Sequence, residues 1–502
     1  MQLEFSLHPR LPGLAWAASI RRDAVTIYHG SHLERGRDWL LDGSWAGNFE
    51  DGLPETDVDP FFGFALRATD GGLKIDCPTH LLERLFLLRH GDRLIVSPSV
   101  PFVLALGHAE VDPGYPDYMF DFMNINRQPA LNCGSIPLAD GRRLEFIVNR
   151  RVLISKDLEV RPESRNLART FRSFGEYEEF LMRTLASLRD NAASKGRQAH
   201  RYGLRTTISS GYDSVAVSAL AAEAGADGAS TLISGEDSGD AVAAQLGLKV
   251  ERVPRDHYLR QPGLPEAEFL ATGFHAEDIV LSGAADFFRG HLVAFGIYGD
   301  AMWERSDPKA KGPELRMRFG SGCALNEFRW RVGYQMAPLV FAGGQGVTSV
   351  ESISESKEMA PWRLRENYDR PIPRRIAETR GVSRESFALK KFGLFSVDFG
   401  PFSGVDVETI LTPESRASFR EFMLDAAPQR KLSTRLRRGA LYSAYRAERF
   451  VGGRLKKLGV LKDPPDSFQP RHQVWPGASS FLFAWACSVM KDRYRAAGIC
   501  NV

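Results

Sequence analysis

Between residues 202 and 253 short β-branched runs alternate with alanine-rich stretches. Tyr202 to Ile208 reads as a strand, Ser209 to Ser214 as a polar loop carrying a glycine, and Val215 to Ala224 as a helix with Gly225 as its C-cap. Ala229 to Ser234 reads as a second strand. Gly239 to Leu246 follows as a helix ending near Gly247, and Lys249 to Val253 as a third strand. A further strand is expected at Leu292 to Ile297, ending in Gly299-Asp300. Strands alternating with helices predict a parallel sheet, whose ligands sit at the carboxyl ends of the strands.

The flanking patterns differ. Up to about residue 165, short apolar runs such as Phe61 to Leu66, Leu85 to Leu88 and Leu94 to Val96 are interrupted by Gly, Asp and Pro. Many short strands with turn signals predict a β-rich domain over 1–165. Tyr177, Leu181, Leu185 and Leu188 then recur at helical spacing and open a second domain, 166–502, with a helical extension from about 410.

The loop Ser209-Ser210-Gly211-Tyr212-Asp213-Ser214 carries the chemistry. Backbone N–H groups at a helix start favour anions, above all phosphate. Gly211 lets the backbone approach a ligand, and Ser209 and Ser214 offer hydroxyls. Asp213 conflicts with a phosphate, because like charges ~4 Å apart repel by several kcal/mol at intermediate dielectric. Magnesium resolves the conflict by taking oxygen ligands from both, with Asp300 as a second carboxylate. The segment Ser234 to Asp240 reads either as backbone that contacts adenine or as a plain capping loop.

The 502 residues exceed one ordinary domain and suggest about two to four. A net charge of +3 argues against nucleic acid as the main partner. Cys77, Cys133, Cys323, Cys487 and Cys500 form no CxxC pair, so no zinc motif is expected, and reduced thiols fit a cytoplasmic protein. The start, MQLEFSLHPR, lacks the pattern of a signal peptide. Phe481 to Met490 is shorter than the ~20 residues of a membrane span. From Arg430 to Lys457 basic residues interleave with leucines. That stretch reads as a solvated helix face or as a peripheral contact with an anionic surface.

Ser209 to Ser214 resembles the SGGxDS loop of the N-type ATP pyrophosphatases (PP-loop enzymes), and of asparagine synthetases in particular. Gly296 to Trp303, GIYGDAMW, resembles their later GEGADELF segment. Gly52 to Leu106, with HGDRLIVSPSVPFVLAL, resembles part of their glutaminase domain, and Phe387 to Val397, FALKKFGLFSV, their lysine-containing segment. The resemblance implies an α/β fold: a doubly wound parallel-sheet synthetase domain preceded by a degenerate β-rich glutaminase-like domain. It implies ATP and Mg2+ as cofactors. A substrate carboxylate is adenylated with release of pyrophosphate, and an amine or ammonia then captures the acyl-adenylate. Ser209, Ser210, Gly211, Asp213, Ser214, Ser234 and Gly299 would bind nucleotide, Asp213 and Asp300 the metal. Lys390 or Lys391 would stabilise transition-state charge.

Three departures shape the expectation. Glutamine-dependent members begin with a nucleophilic cysteine, whereas this chain begins Met1-Gln2-Leu3, so no glutaminase activity is expected. β-Lactam synthetases and lasso-peptide cyclases share that lack. Ser210 replaces a loop glycine, at a cost of ~1 kcal/mol or more if the position needs positive φ. Ile297 stands where asparagine synthetases carry a glutamate, which leaves Tyr298, Glu277 and Glu304 as candidate bases. Two alternatives stay open: a sulfur-transfer enzyme using Cys323, and a nucleotide-binding pseudoenzyme.

Overall fold

The computed structural model describes residues 1–115, 117–127, 132–233, 238–274, 276–303, 320–364, 368–388, 411–426 and 479–499. The molecule is mixed α/β, with a β-rich N-terminal region and a parallel sheet further along the chain.

Two large sheets and a two-stranded ribbon, Ser44–Trp45 with Phe61–Phe62, form the N-terminal region. In one, Gln2–Leu7, Ala24–His29, Trp16–Ile20, Arg93–Ser97, Leu85–His90, Arg143–Ile147 and Cys133–Pro137 lie side by side. Gln2–Leu7 runs parallel to Ala24–His29, and the remaining pairs are antiparallel. The other sheet orders Val160–Glu163, Arg151–Ser155, Gly72–Asp76, Ala65–Thr69, Trp39–Leu41 and Glu34–Arg35, all antiparallel. Period-2 burial marks the inner faces: Leu144 and Phe146 in one sheet, Val152 and Ile154 in the other, all in one continuous core. The apolar run from Phe61 to Leu66 is divided between two strands, Phe61–Phe62 and Ala65–Thr69. Gly63 takes φ 106°, and the N–H of Phe64 turns to the Asp42 carboxylate at 2.6 Å.

The helix Phe174–Ala193 begins at Ser173, whose hydroxyl accepts the Glu176 N–H at 3.2 Å. Tyr177, Leu181, Leu185 and Leu188 are all buried, as their spacing predicts. The parallel sheet follows in the order Lys249–Pro254, Gly228–Ile233, Gly203–Thr207, His291–Ala294, Gln335–Ala337. Its first three strands and the helices Tyr212–Glu223 and Asp240–Gln245 fall within a few residues of their expected places. Gly225 and Gly247 both take the left-handed conformation just past the helix ends.

One strand is shorter than expected. It ends at Ala294; Ile297 and Tyr298 form a turn, and Gly299 and Asp300 open the short helix Gly299–Trp303. Gln335–Ala337, three buried residues, has no alternation to reveal it in the sequence.

The apolar stretch Phe481 to Met490 lies in the helix Ser479–Tyr494, packed against Val100–Leu106 and Glu266–Leu270. No described helix is long and apolar enough to cross a membrane. Cys323 and Cys487 are buried. The basic stretch 430–457 lies outside the described residues.

The C-terminal helix is pinned by a buried carboxyl group. Tyr494 donates its hydroxyl to Glu327 at 2.5 Å, and burial pushes the Glu327 carboxyl up to about 7 despite hydrogen bonds from Ser99 and Tyr494. A carboxyl raised in the folded state binds its proton more tightly there than in the unfolded chain. Stability therefore falls as pH rises from about 4.5 to about 7. Glu327→Gln keeps an acceptor for Tyr494 and removes the titration. Thermal melts at pH 5 and pH 8 should show a smaller loss on the alkaline side than in the wild type; an unchanged difference would exclude this group as its source.

Candidate functional site

In the parallel sheet the first strand, Gly203–Thr207, sits at the centre; the next two lie to one side and the last two to the other. The strand order reverses between Gly203–Thr207 and His291–Ala294, and in open parallel sheets such a reversal is where ligands bind, at the carboxyl ends of the strands. Both segments singled out by the sequence leave those two ends.

Hydroxyl contacts hold the first segment. Ser209 Oγ lies 2.7 Å from Ser214 Oγ, Ser214 Oγ accepts the Ser209 N–H at 3.1 Å, and Ser209 Oγ accepts the Gly211 N–H at 3.1 Å. The two serines thus shape the loop as well as offering hydroxyls to a ligand. Gly211 is the N-cap of the helix Tyr212–Glu223 and gives it no side-chain cap. That leaves the helix start suited to an external anion. A side chain at Gly211 would meet only Ser209 Oγ, at 3.4 Å. Ser210 is not among the residues with positive φ, so serine carries no left-handed penalty there. An isolated bridge joins Ser209 to Ser238, the first described residue after Ser234, which itself lies outside the description along with 235–237.

The second segment packs directly onto the first. A Cβ on Gly296 would lie 2.6 Å from the backbone of Asp213 and Ser214, and one on Gly299 2.1 Å from Asp213 Cγ. Only glycine permits this approach, and it sets Asp300, the second residue of the helix Gly299–Trp303, next to the residue that touches Asp213. Tyr298 carries the left-handed φ, 67°, with its ring edge-on to Phe341 at 5.8 Å and almost wholly buried. Ile297 packs toward Gly322.

A third element completes the arrangement. Arg370 reaches both Asp213 oxygens through Nη1, at 2.7 and 2.6 Å, and is 3% exposed. Burial works against its charge, but Asp213 and then, more weakly, Tyr368 and Asp300 outweigh it and raise its pKa. Arg370 precedes the helix Pro371–Glu378, which packs on Tyr212–Glu223. One turn further, buried Arg374 donates to the Tyr212 hydroxyl and lies over the Tyr212 ring. The Ala388 N–H donates to Ser210 O at 2.6 Å, which brings the chain alongside the loop two residues before Lys390. Lys390 and Lys391 lie outside the described residues, as do Glu304 and the Glu277 side chain.

The structure thus brings Ser209, Ser210, Gly211, Asp213, Ser214, Gly299 and Asp300 together. It adds Arg370 and Arg374, which the sequence reading missed. Arg370 lies 157 residues from Asp213, and the only local signal is a proline at the first helical position, which marks a helix start and names no partner.

Among the described residues no group of three or more His, Cys, Asp or Glu side chains could hold a metal ion. Asp213 and, more weakly, Asp300 both act on the charge of the Arg370 guanidinium. Cys323 is buried in a turn whose Gly322 and Ala324 N–H groups donate to the Asp278 carboxylate. No protein-family model matches the chain, and none of the curated proteins searched matches it.

Proposed function

We propose that the chain is an ATP-dependent carbon–nitrogen ligase of the asparagine-synthetase type. The observation that carries this reading is the meeting of Asp213 and the Gly299-Asp300 turn across the reversal point of a parallel sheet, beside a serine-rich helix start. The strand order supports a doubly wound synthetase domain with the nucleotide at its switch point. The two largely antiparallel sheets before it fit a degenerate glutaminase-like domain.

In this reading Ser209, Ser210, Gly211 and Ser214 cradle the polyphosphate of ATP, with Gly299 admitting the close approach; Ser234, a nucleotide contact by the resemblance, lies outside the described residues. Asp213 and Asp300 would hold Mg2+, which when bound neutralises phosphate charge. The substrate carboxylate attacks the α-phosphorus, the bond to the β-phosphate oxygen breaks, and pyrophosphate leaves. An amine or ammonia then displaces AMP from the acyl-adenylate, giving an amide and releasing a proton. Lys390 or Lys391 would stabilise the charge in transit electrostatically. Tyr298 is the candidate base from the turn itself. The substrates proposed are a small-molecule, peptide or sugar carboxylate and an amine donor in the cytoplasm.

The second reading, a nucleotide-binding protein without turnover, draws on Ile297, an aliphatic side chain on the turn between the two segments. Calorimetric titration of ATP with magnesium tests both, beside the Asp213→Asn, Asp300→Asn double variant. Each lost charge-assisted contact costs about 1.5–3 kcal/mol, so the variant should bind about 100-fold or more weaker. Metal-independent binding, or equal binding by the variant, would exclude the proposed site. Pyrophosphate release with a panel of carboxylates separates the ligase from the silent binder.

A further inference from the structure

The Arg370–Asp213 pair occupies the carboxylate that the proposed function gives to the metal. We infer that Arg370 is an exchangeable counter-ion, closing on Asp213 when no nucleotide is bound and moving to the polyphosphate when ATP enters, so that the divalent cation is admitted only together with nucleotide. This inference rests on the nucleotide-site reading and adds an order of binding to it.

Three observations carry it. A single nitrogen, Nη1, reaches both carboxylate oxygens, whereas the strongest arginine–carboxylate pairs use two parallel N–H donors. Among the described residues buried Nε has no hydrogen-bond partner, so part of the donor fork is uncommitted in this state. The Asp213 side chain is 21% exposed, so a ligand can reach it while Arg370 is shielded.

The surroundings separate a fixed base from a movable tip. Pro371 opens the helix after Arg370, and Arg374 locks that helix to Tyr212. Beyond its backbone, Arg370 is a long side chain that hydrogen-bonds to both Asp213 carboxylate oxygens. A divalent cation on the same oxygens would sit within ~4 Å of the guanidinium, where like charges repel by several kcal/mol. The two cations therefore exclude one another until a polyanion offers Arg370 a new partner. The polyphosphate of ATP, and the pyrophosphate that leaves it, have the required charge and geometry.

The test measures Mn2+ binding to the full chain by electron paramagnetic resonance, with and without a non-hydrolysable ATP analogue, in the wild type, Arg370→Gln and Arg370→Lys. The wild type should bind Mn2+ weakly alone and about tenfold or more tightly with the analogue. Arg370→Gln should bind Mn2+ alone more tightly than the wild type, yet bind the analogue about tenfold more weakly. Arg370→Lys keeps a positive charge and should resemble the wild type in the metal-only arm. A merely structural arginine would weaken both affinities together, and that result overturns the exchange. Equal Mn2+ affinity with and without analogue in the wild type overturns it as well, with no variant required. Absence of analogue binding in every protein removes the nucleotide-site reading itself and the exchange with it; analogue binding with unchanged Mn2+ affinity in Arg370→Gln removes the exchange alone.

Discussion

Arg329→Ala should destabilise the folded chain by about 3–5 kcal/mol at neutral pH, the cost of leaving buried charge unpaired. Arg329 lies on the helix Asn326–Val332, and its Nη2 reaches Glu83 at 2.7 Å and Asp42 at 3.4 Å, all three side chains being buried. Asp42 retains the Trp16 Nε1–H at 3.0 Å and the Phe64 N–H at 2.6 Å. Glu83 has less support. Burial raises its pKa while Arg329 lowers it, and the neighbouring His80 cannot take over, because burial and Arg329 bring that imidazole down to about 3 and keep it neutral. Without Arg329 the Glu83 carboxyl is raised further and holds its proton in the folded state. The variant should therefore lose most stability as pH rises above about 4.5, and urea unfolding should show a larger deficit at pH 8 than at pH 5. Adding Glu83→Gln to Arg329→Met should recover part of the loss. A cost under about 1 kcal/mol for Arg329→Ala at pH 7 would mean that the triad is solvated in solution.

Gly299→Ala should abolish the site while leaving most of the fold intact. The added Cβ would stand 2.1 Å from Asp213 Cγ and 2.3 Å from Asp213 Oδ1. Relief by moving the turn is limited by Gly296, which already abuts the Asp213 and Ser214 backbone. Asp213 must leave its rotamer, or the turn must carry Asp300 away from it. Affinity for ATP with magnesium should fall about 10- to 100-fold, the usual effect of misorienting a metal ligand. Overpacking should lower stability by about 1–3 kcal/mol. Gly175→Ala is the matched control, because Gly175 lies in the helix Phe174–Ala193, away from the loop, and an added Cβ would meet nothing within 4 Å. Calorimetry beside thermal melts reads both effects. Full affinity in Gly299→Ala would show that Asp213 does not hold the metal.

What was legible in the sequence was local. The Tyr177, Leu181, Leu185, Leu188 spacing fixed a buried helix face, because 3.6-residue periodicity is written in neighbouring residues. The strand–loop–helix around Ser209 to Ser214 was legible because its β-branched run and alanine-rich helix each satisfy their own propensities. The loop's polar character followed from residue types alone. Ser210 reads differently in three dimensions, since the penalty expected of it depended on a backbone angle that the fold does not impose.

The remainder depended on contacts between distant segments. Nothing near Leu292 says that its strand stops at Ala294; the stop comes where the turn meets the helix start at Asp213. The left-handed backbone at Tyr298 belongs to that same packing. The Arg370–Asp213 pair joins residues 157 positions apart. The sequence by itself determined which short segments are strands and helices and which loop carries acid beside serine, because those properties are set within a few residues. Only the tertiary structure decided that Asp213 meets the Asp300 turn and that an arginine closes on it. Such meetings depend on strand order and on glycines that let two backbones touch, and neither is encoded in local periodicity.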